Sequence, residues 1–173
     1  MRKLRIKKIL CVTLLQFLLF SSAFALTVND PAPMFSLRDI KEKDFYLSDL
    51  VGPTKKENSN GVILSFFASW CTPCRNELKI INSLVDEMKD KGIEIVIVGF
   101  KEDPDTIGTL LAELKVNKPV VLCDRDGKVG ETYGVRFLPT TFFIGSDGIV
   151  KNVAFGEIKD ERELREKAGK LSK

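Results

Sequence analysis

Val62-Ile63-Leu64-Ser65-Phe66-Phe67-Ala68-Ser69-Trp70-Cys71-Thr72-Pro73-Cys74 decides how this chain folds. Val62 to Phe67 is a continuous apolar run, the pattern of a central strand covered on both faces. It leads straight into two cysteines separated by two residues. Beyond them Leu78, Ile81, Leu84, Val85 and Met88 recur at helical spacing with charged residues between, and Gly92 marks a stop. This periodicity predicts an amphipathic helix starting near Thr72. The cysteine pair therefore falls where a buried strand hands over to a helix.

Working outward, Ile93 to Val98 reads as a second buried strand. Asp103-Pro104 then opens a helix with the apolar stripe Ile107, Leu110, Leu111 and Leu114. Strand, helix, strand, helix implies parallel pairing. Val120 to Leu122 is a short strand and Lys128 to Tyr133 a helical turn. Thr140 to Ile144 and Ile149 to Phe155 form a hairpin across Gly145-Ser146-Asp147-Gly148, and Asp160 with Glu163 caps a last helix. Upstream, Phe35 to Arg38 and Phe45 to Leu47 predict an N-terminal hairpin, and Gly52 to Gly61 a solvated loop. The sum is an α/β fold: a central mixed β-sheet flanked by helices, with an N-terminal β-hairpin.

The first 25 residues stand apart. A basic MRKLRIKK precedes an apolar run ending in Ala23-Phe24-Ala25, the layout of a signal peptide with a small-x-small cleavage site. The run is slightly short of the ~20 residues a spanning helix needs; an uncleaved anchor is the competing reading. The expected division is residues 1–25 as leader and 26–173 as one domain. The leader holds five of the 27 basic residues and no acid, so the remainder carries 22 against 24, a net charge of −2. No basic face for nucleic acid remains. The chain has no histidine, which removes the commonest metal ligand and general base. No cofactor and no metal is expected.

Of four cysteines, Cys11 lies in the leader, leaving Cys71, Cys74 and a lone Cys123. A C-x-x-C pair at a helix start can close a small disulfide, and the helix N-terminus stabilises a thiolate there through unpaired N–H groups. Cys71, nearer the end, is the expected nucleophile, with a pKa lowered to roughly 3.5–7.5 as in such motifs. Cys74 is the expected resolving thiol. Pro73 suits an early helical position, where its missing N–H costs nothing, and Trp70 can shelter one side. A structural disulfide and half of a zinc knuckle are the alternatives; zinc wants four ligands, and only one further thiol is present.

WCTPCRNE after an apolar strand, GVRFLPTTFFIGSDGIV downstream, and the opening DPAPMFSLRDI and FYLSDLVG together resemble the TlpA/ResA branch of the thioredoxin superfamily. The resemblance covers essentially all of 26–173. It implies a thioredoxin-like fold and extracytoplasmic thiol–disulfide exchange through a Cys71–Cys74 couple. It implies that Pro139 is a cis-proline facing the sulfurs, and that Leu138 pairs with substrate main chain, a form of strand addition. Trp70, Thr72 and Pro73 join these as substrate-binding candidates. Glu102 matches an acidic residue near the site in ResA-like members and is a candidate to pass protons to Cys74, although Lys101-Glu102-Asp103 also reads as a solvated helix entry. Glu77 of the WCxPCxxE pattern reads as a structural helix residue.

Several positions depart from the pattern. Ser65 stands where thioredoxin has a buried Asp, Thr72 where some ResA-type members have Glu, and Lys79 where a proline is common. Cys123 stands where relatives often have Asp and reads as a small, partly buried residue with no role, with a regulatory or intermolecular disulfide as the alternative. The function expected is reduction of protein disulfides outside the cytoplasm, in the periplasm or an equivalent space. The partners implied are protein thiol or disulfide substrates, apocytochrome c among them, and a membrane thiol-reductant donor. An oxidase or isomerase of the same fold and a non-catalytic binding module are the alternatives. The peroxiredoxin loop P-x-x-x-T-x-x-C is absent around Cys71, and a Sco-type copper carrier needs C-x-x-x-C and a histidine.

Overall fold

In the computed structural model, residues 25–56 and 58–171 are described; the expected leader lies outside them, save for Ala25. Strand β3 (Gly61–Phe67) is buried at every position. It pairs in parallel with β4 (Ile93–Phe100) and antiparallel with β6 (Thr140–Gly145). β5 (Val120–Asp124) adds in parallel outside β4, and β7 (Val150–Phe155) adds antiparallel outside β6. The sheet order is β5-β4-β3-β6-β7. Connecting β3 to β4 is α1 (Thr72–Asp90), and α2 (Pro104–Leu114) connects β4 to β5. The short α3 (Lys128–Thr132) precedes β6, and α4 (Glu161–Ala168) ends the fold.

Alternation along β3 sorts the core into two layers. Ile63 and Phe67, with Ile95 and Ile97 of β4, pack against the apolar stripes of α1, α2 and α4. Val62, Leu64 and Phe66 face the other way, onto Leu47, Val51, Val129 and Tyr133. There the hairpin β1 (Ser36–Arg38) and β2 (Asp44–Tyr46) covers the sheet, and a single bridge, Asp39 to Leu122, joins it to β5. Phe35, Phe66 and Phe142 surround the buried Tyr133 with centroid separations of 5.1–5.9 Å. The Tyr133 hydroxyl donates to the Pro33 carbonyl at 2.8 Å. Each ring adds geometry-dependent attraction to its buried area.

The expected elements are present, with shifted ends. Phe35 and Leu47 lie just outside the hairpin strands, and Leu47 instead opens a single 3₁₀ turn, Leu47–Asp49. β4 and β5 run two residues longer than their apolar runs because their ladder continues through Gly99 opposite Cys123 and Phe100 opposite Asp124. The buried Asp124 carboxylate at that end accepts the Val129 and Gly130 N–H groups of α3. It thereby satisfies donors that a helix start leaves open.

Candidate active site

The turn from β3 into α1 positions the cysteines. Cys71 N–H donates to the Ala68 carbonyl at 3.1 Å, closing the turn just before the helix. Cys71 is the helix N-cap and its Sγ accepts the Cys74 N–H at 3.3 Å, with Pro73 in the first turn. The sulfurs are bonded to each other at 2.04 Å. Cys71 retains 4% exposure and Cys74 none, so an incoming sulfur can meet only Cys71. Sulfur at the N-cap of a 19-residue helix takes the place of the oxygen acceptor common there. It sits where open N–H groups and the helix dipole favour a negative charge.

The Leu138–Pro139 peptide is cis, as the resemblance implied. Thr140, the next residue, pairs with Phe66 in the sheet, which sets buried Pro139 beside the end of β3 where the cysteine turn begins. The Pro139 carbonyl accepts the Gly156 N–H at 2.9 Å, and Leu138 is half-buried. Trp70 is 73% exposed, so it flanks the disulfide without covering it. Two further aromatics are exposed at this end: Phe137, and Phe155, whose strand partner is Thr140. Sequence reasoning missed both. Phe137 adjoins the recognisable Leu138-Pro139, a usable signal; Phe155 breaks alternation only at a strand end, which is no signal alone.

Two carboxylates approach the site in different ways. Ser65 faces the α1 side of the sheet, as alternation with Ile63 and Phe67 requires, and meets Glu77, one helical turn past Cys74. Glu77 is buried. Its Oε1 accepts the Ser65 and Thr141 hydroxyls at 3.0 and 2.8 Å, and its Oε2 accepts the Ile158 N–H at 2.8 Å. It ties β3, β6 and the segment after β7 to α1, as a structural reading of this residue expects. Burial pushes its carboxyl up, against the downward pull of those three donors. Glu102 points elsewhere: it accepts the Ser69 N–H on both oxygens, at 2.9 and 3.0 Å, and the Ser69 hydroxyl. No hydrogen bond joins it to either cysteine. The free, half-buried Cys123 has its Sγ 3.1 Å from the Glu102 carbonyl, and burial pushes its thiol up.

A C-x-x-C disulfide capping the helix after the central strand, faced by a cis-proline on a mixed sheet, defines a thioredoxin-like thiol–disulfide oxidoreductase. The chain belongs to the AhpC/TSA family, whose model matches residues 28–153. It is similar to the thiol-disulfide oxidoreductase ResA of Bacillus subtilis, 35% identical over 141 residues, covering 82% of this chain and 74% of the relative. ResA of Bacillus cereus strain ATCC 10987 is 31% identical over 145 residues, covering 83% and 79%. Among solved structures, a Chlorobium tepidum protein described as a thiol:disulfide interchange protein DsbE superposes with a TM-score of 0.73 at 31% identity, covering 85% of this chain and 99% of the other. The N-terminal hairpin and the mixed sheet are those of the thioredoxin-like fold. The peroxidase loop has no counterpart: Leu64 and Ala68 stand where its Pro and Thr would precede Cys71.

Proposed function

We propose that this protein reduces disulfides in other proteins outside the cytoplasm, with Cys71 as nucleophile and Cys74 as resolving thiol. The observation that carries this is the asymmetry of the pair: Cys71 is reachable at the helix cap, and Cys74 is sealed. In the reduced protein the Cys71 thiolate attacks one sulfur of the substrate disulfide. A mixed disulfide forms, and the second substrate sulfur leaves as a thiolate that takes a proton. Cys74, deprotonated, then attacks the Cys71 sulfur, releasing as a thiolate the first substrate sulfur, the one held in the mixed disulfide, and closing the Cys71–Cys74 bond. Two electrons pass from the pair to the substrate, and a thiol donor at the membrane restores the dithiol.

Substrate would lie across Trp70, Thr72 and Pro73 on one side and Leu138 and Pro139 on the other. Phe137 and Phe155 extend the apolar margin. A patch of exposed aromatics around a reactive bond suits an unfolded chain presenting apolar side chains. An apocytochrome c whose haem-binding cysteines have become oxidised is such a chain, and is the substrate class that the sequence resemblance implies. The basic start and apolar run of residues 1–25 support export to the periplasm or an equivalent compartment; among the described residues no helix is long and apolar enough to cross a membrane.

The reducing direction rests on Thr72-Pro73, which puts no basic residue between the sulfurs to stabilise the thiolate further. Equilibration of the pair against glutathione tests it. The expected potential lies nearer the reducing, thioredoxin end of the scale than the oxidising, DsbA end. A strongly oxidising potential would overturn the direction while leaving the exchange chemistry intact.

A further inference from the structure

Resting on the exchange chemistry proposed above, we infer that Glu102 is a positioning residue that holds the Ser69-Trp70 turn, and with it the Cys71 sulfur, in place. The turn between Phe67 and Thr72 must hold a reactive sulfur at the surface with little backbone bonding of its own; within it only Cys71 N–H to Ala68 O closes the chain. Ser69, two residues before the sulfur, is gripped from outside. Both Glu102 oxygens take its N–H and one takes its hydroxyl. Two oxygens sharing one N–H, with a further bond to the side chain, fix the turn's orientation as well as its distance.

Glu102 can act as an anchor because its own backbone is fixed on both sides. Lys101 adopts a left-handed conformation with φ of 60°, and its N–H donates to the Asp124 carbonyl at 2.9 Å. The Glu102 carbonyl accepts from the Cys123 thiol. Asp103 then caps α2 by accepting the Thr106 N–H at 2.9 Å. The end of β5, through Cys123 and Asp124, thus fixes Glu102, and Glu102 fixes the cysteine turn. This accounts for a partly buried Cys123 without assigning it redox chemistry. Both carboxylate oxygens accept from Ser69, so the group is committed to holding the turn and supplies geometry to the reaction in place of a proton.

The experiment compares full-chain wild type, Glu102→Gln and Glu102→Ala in two readouts: kcat/KM for insulin reduction, and hydrogen exchange at the Ser69 amide. The amide of glutamine can donate to the Ser69 hydroxyl while its oxygen accepts the Ser69 N–H, so E102Q can keep the grip without the titrating group. The expected result is at least a fivefold loss of kcat/KM in E102A, recovery in E102Q to at least half the wild-type value, and Ser69 exchange at least tenfold faster in E102A only. E102Q as slow as E102A in catalysis would make Glu102 a proton carrier and overturn the inference. So would E102A within twofold of wild type, or unchanged Ser69 exchange. If wild type itself fails to reduce insulin, the proposed function falls, and Ser69 exchange still decides whether Glu102 holds the turn.

Discussion

Cys71 and Cys74 differ in what they can meet, and each substitution should show it. Replacing the sealed Cys74 with Ala removes the resolving thiol, so mixed disulfides on Cys71 should accumulate and be visible as non-reducing adducts. Cys71→Ser should abolish disulfide reduction and trap nothing; retained activity in that variant would mean the bond is merely structural. Glu77 makes a pH-dependent contribution of known sign. Its folded-state value is raised by burial, so the stability it confers is fully present below the ordinary glutamate range and is lost as pH rises through the raised value. In Glu77→Gln the oxygen can keep Ile158 N–H while the Ser65 and Thr141 hydroxyls turn to accept. Thermal unfolding from about pH 4 to about pH 8 should therefore show wild type losing ground to E77Q as pH rises. Parallel profiles would contradict it. Glu77→Ala leaves the Ile158 N–H buried without a partner, a loss of about 1–3 kcal/mol. At this scale the sequence makes Cys71 and Cys74 legible because their spacing and helical context are local. The partner of Glu102 is not legible, since Ser69 lies 33 residues away and only the parallel register of β3 and β4 brings the two together.

The elements carry their own constraint where α2 crosses β4. Gly99 lies on β4 under Ile107, and a Cβ there would come within 2.2 Å of Ile107 Cδ1. Gly99→Ala must therefore push α2 off the sheet or force Ile107 from its rotamer, an overpacking cost of about 1–3 kcal/mol. Chemical denaturation should show that loss; a variant as stable as wild type would mean that the contact is slack. Most strands and helices were legible, because runs such as VILSFF and IEIVIV and the stripe through Leu78, Ile81 and Met88 are properties of a few consecutive residues. Their ends were not. Gly99, Phe100, Cys123 and Asp124 join the sheet by pairing with each other, and pairing between strands leaves no trace in either strand alone. Phe35 and Leu47 look like strand residues but act as plugs under the hairpin, where Leu47 opens a turn.

Over the whole molecule, two cores on either side of one sheet hold the cysteine turn, the cis-proline and three exposed aromatics at a single end. That gathering was legible in part. The WCTPC and FLPT segments could be placed opposite each other through the family resemblance, whereas Phe155 arrives there only through the β6–β7 ladder. The loop P-x-x-x-T-x-x-C does not precede Cys71, so peroxide turnover at this cysteine is not expected. Incubated with hydrogen peroxide and a thiol donor, the reduced protein should consume peroxide no faster than a Cys71→Ser control; rapid turnover dependent on Cys71 would place it among the peroxidases.

The central claim is that Cys71 ionises readily and is reachable once the bond to Cys74 is opened. Iodoacetamide labelling of the fully reduced protein, followed against pH with the modified residue located by mass spectrometry, tests it most directly. Labelling should fall on Cys71 first and reach half its plateau rate well below the pH at which an ordinary free thiol does. Equal, sluggish labelling of Cys71 and Cys74, with the midpoint of a free thiol, would contradict the account.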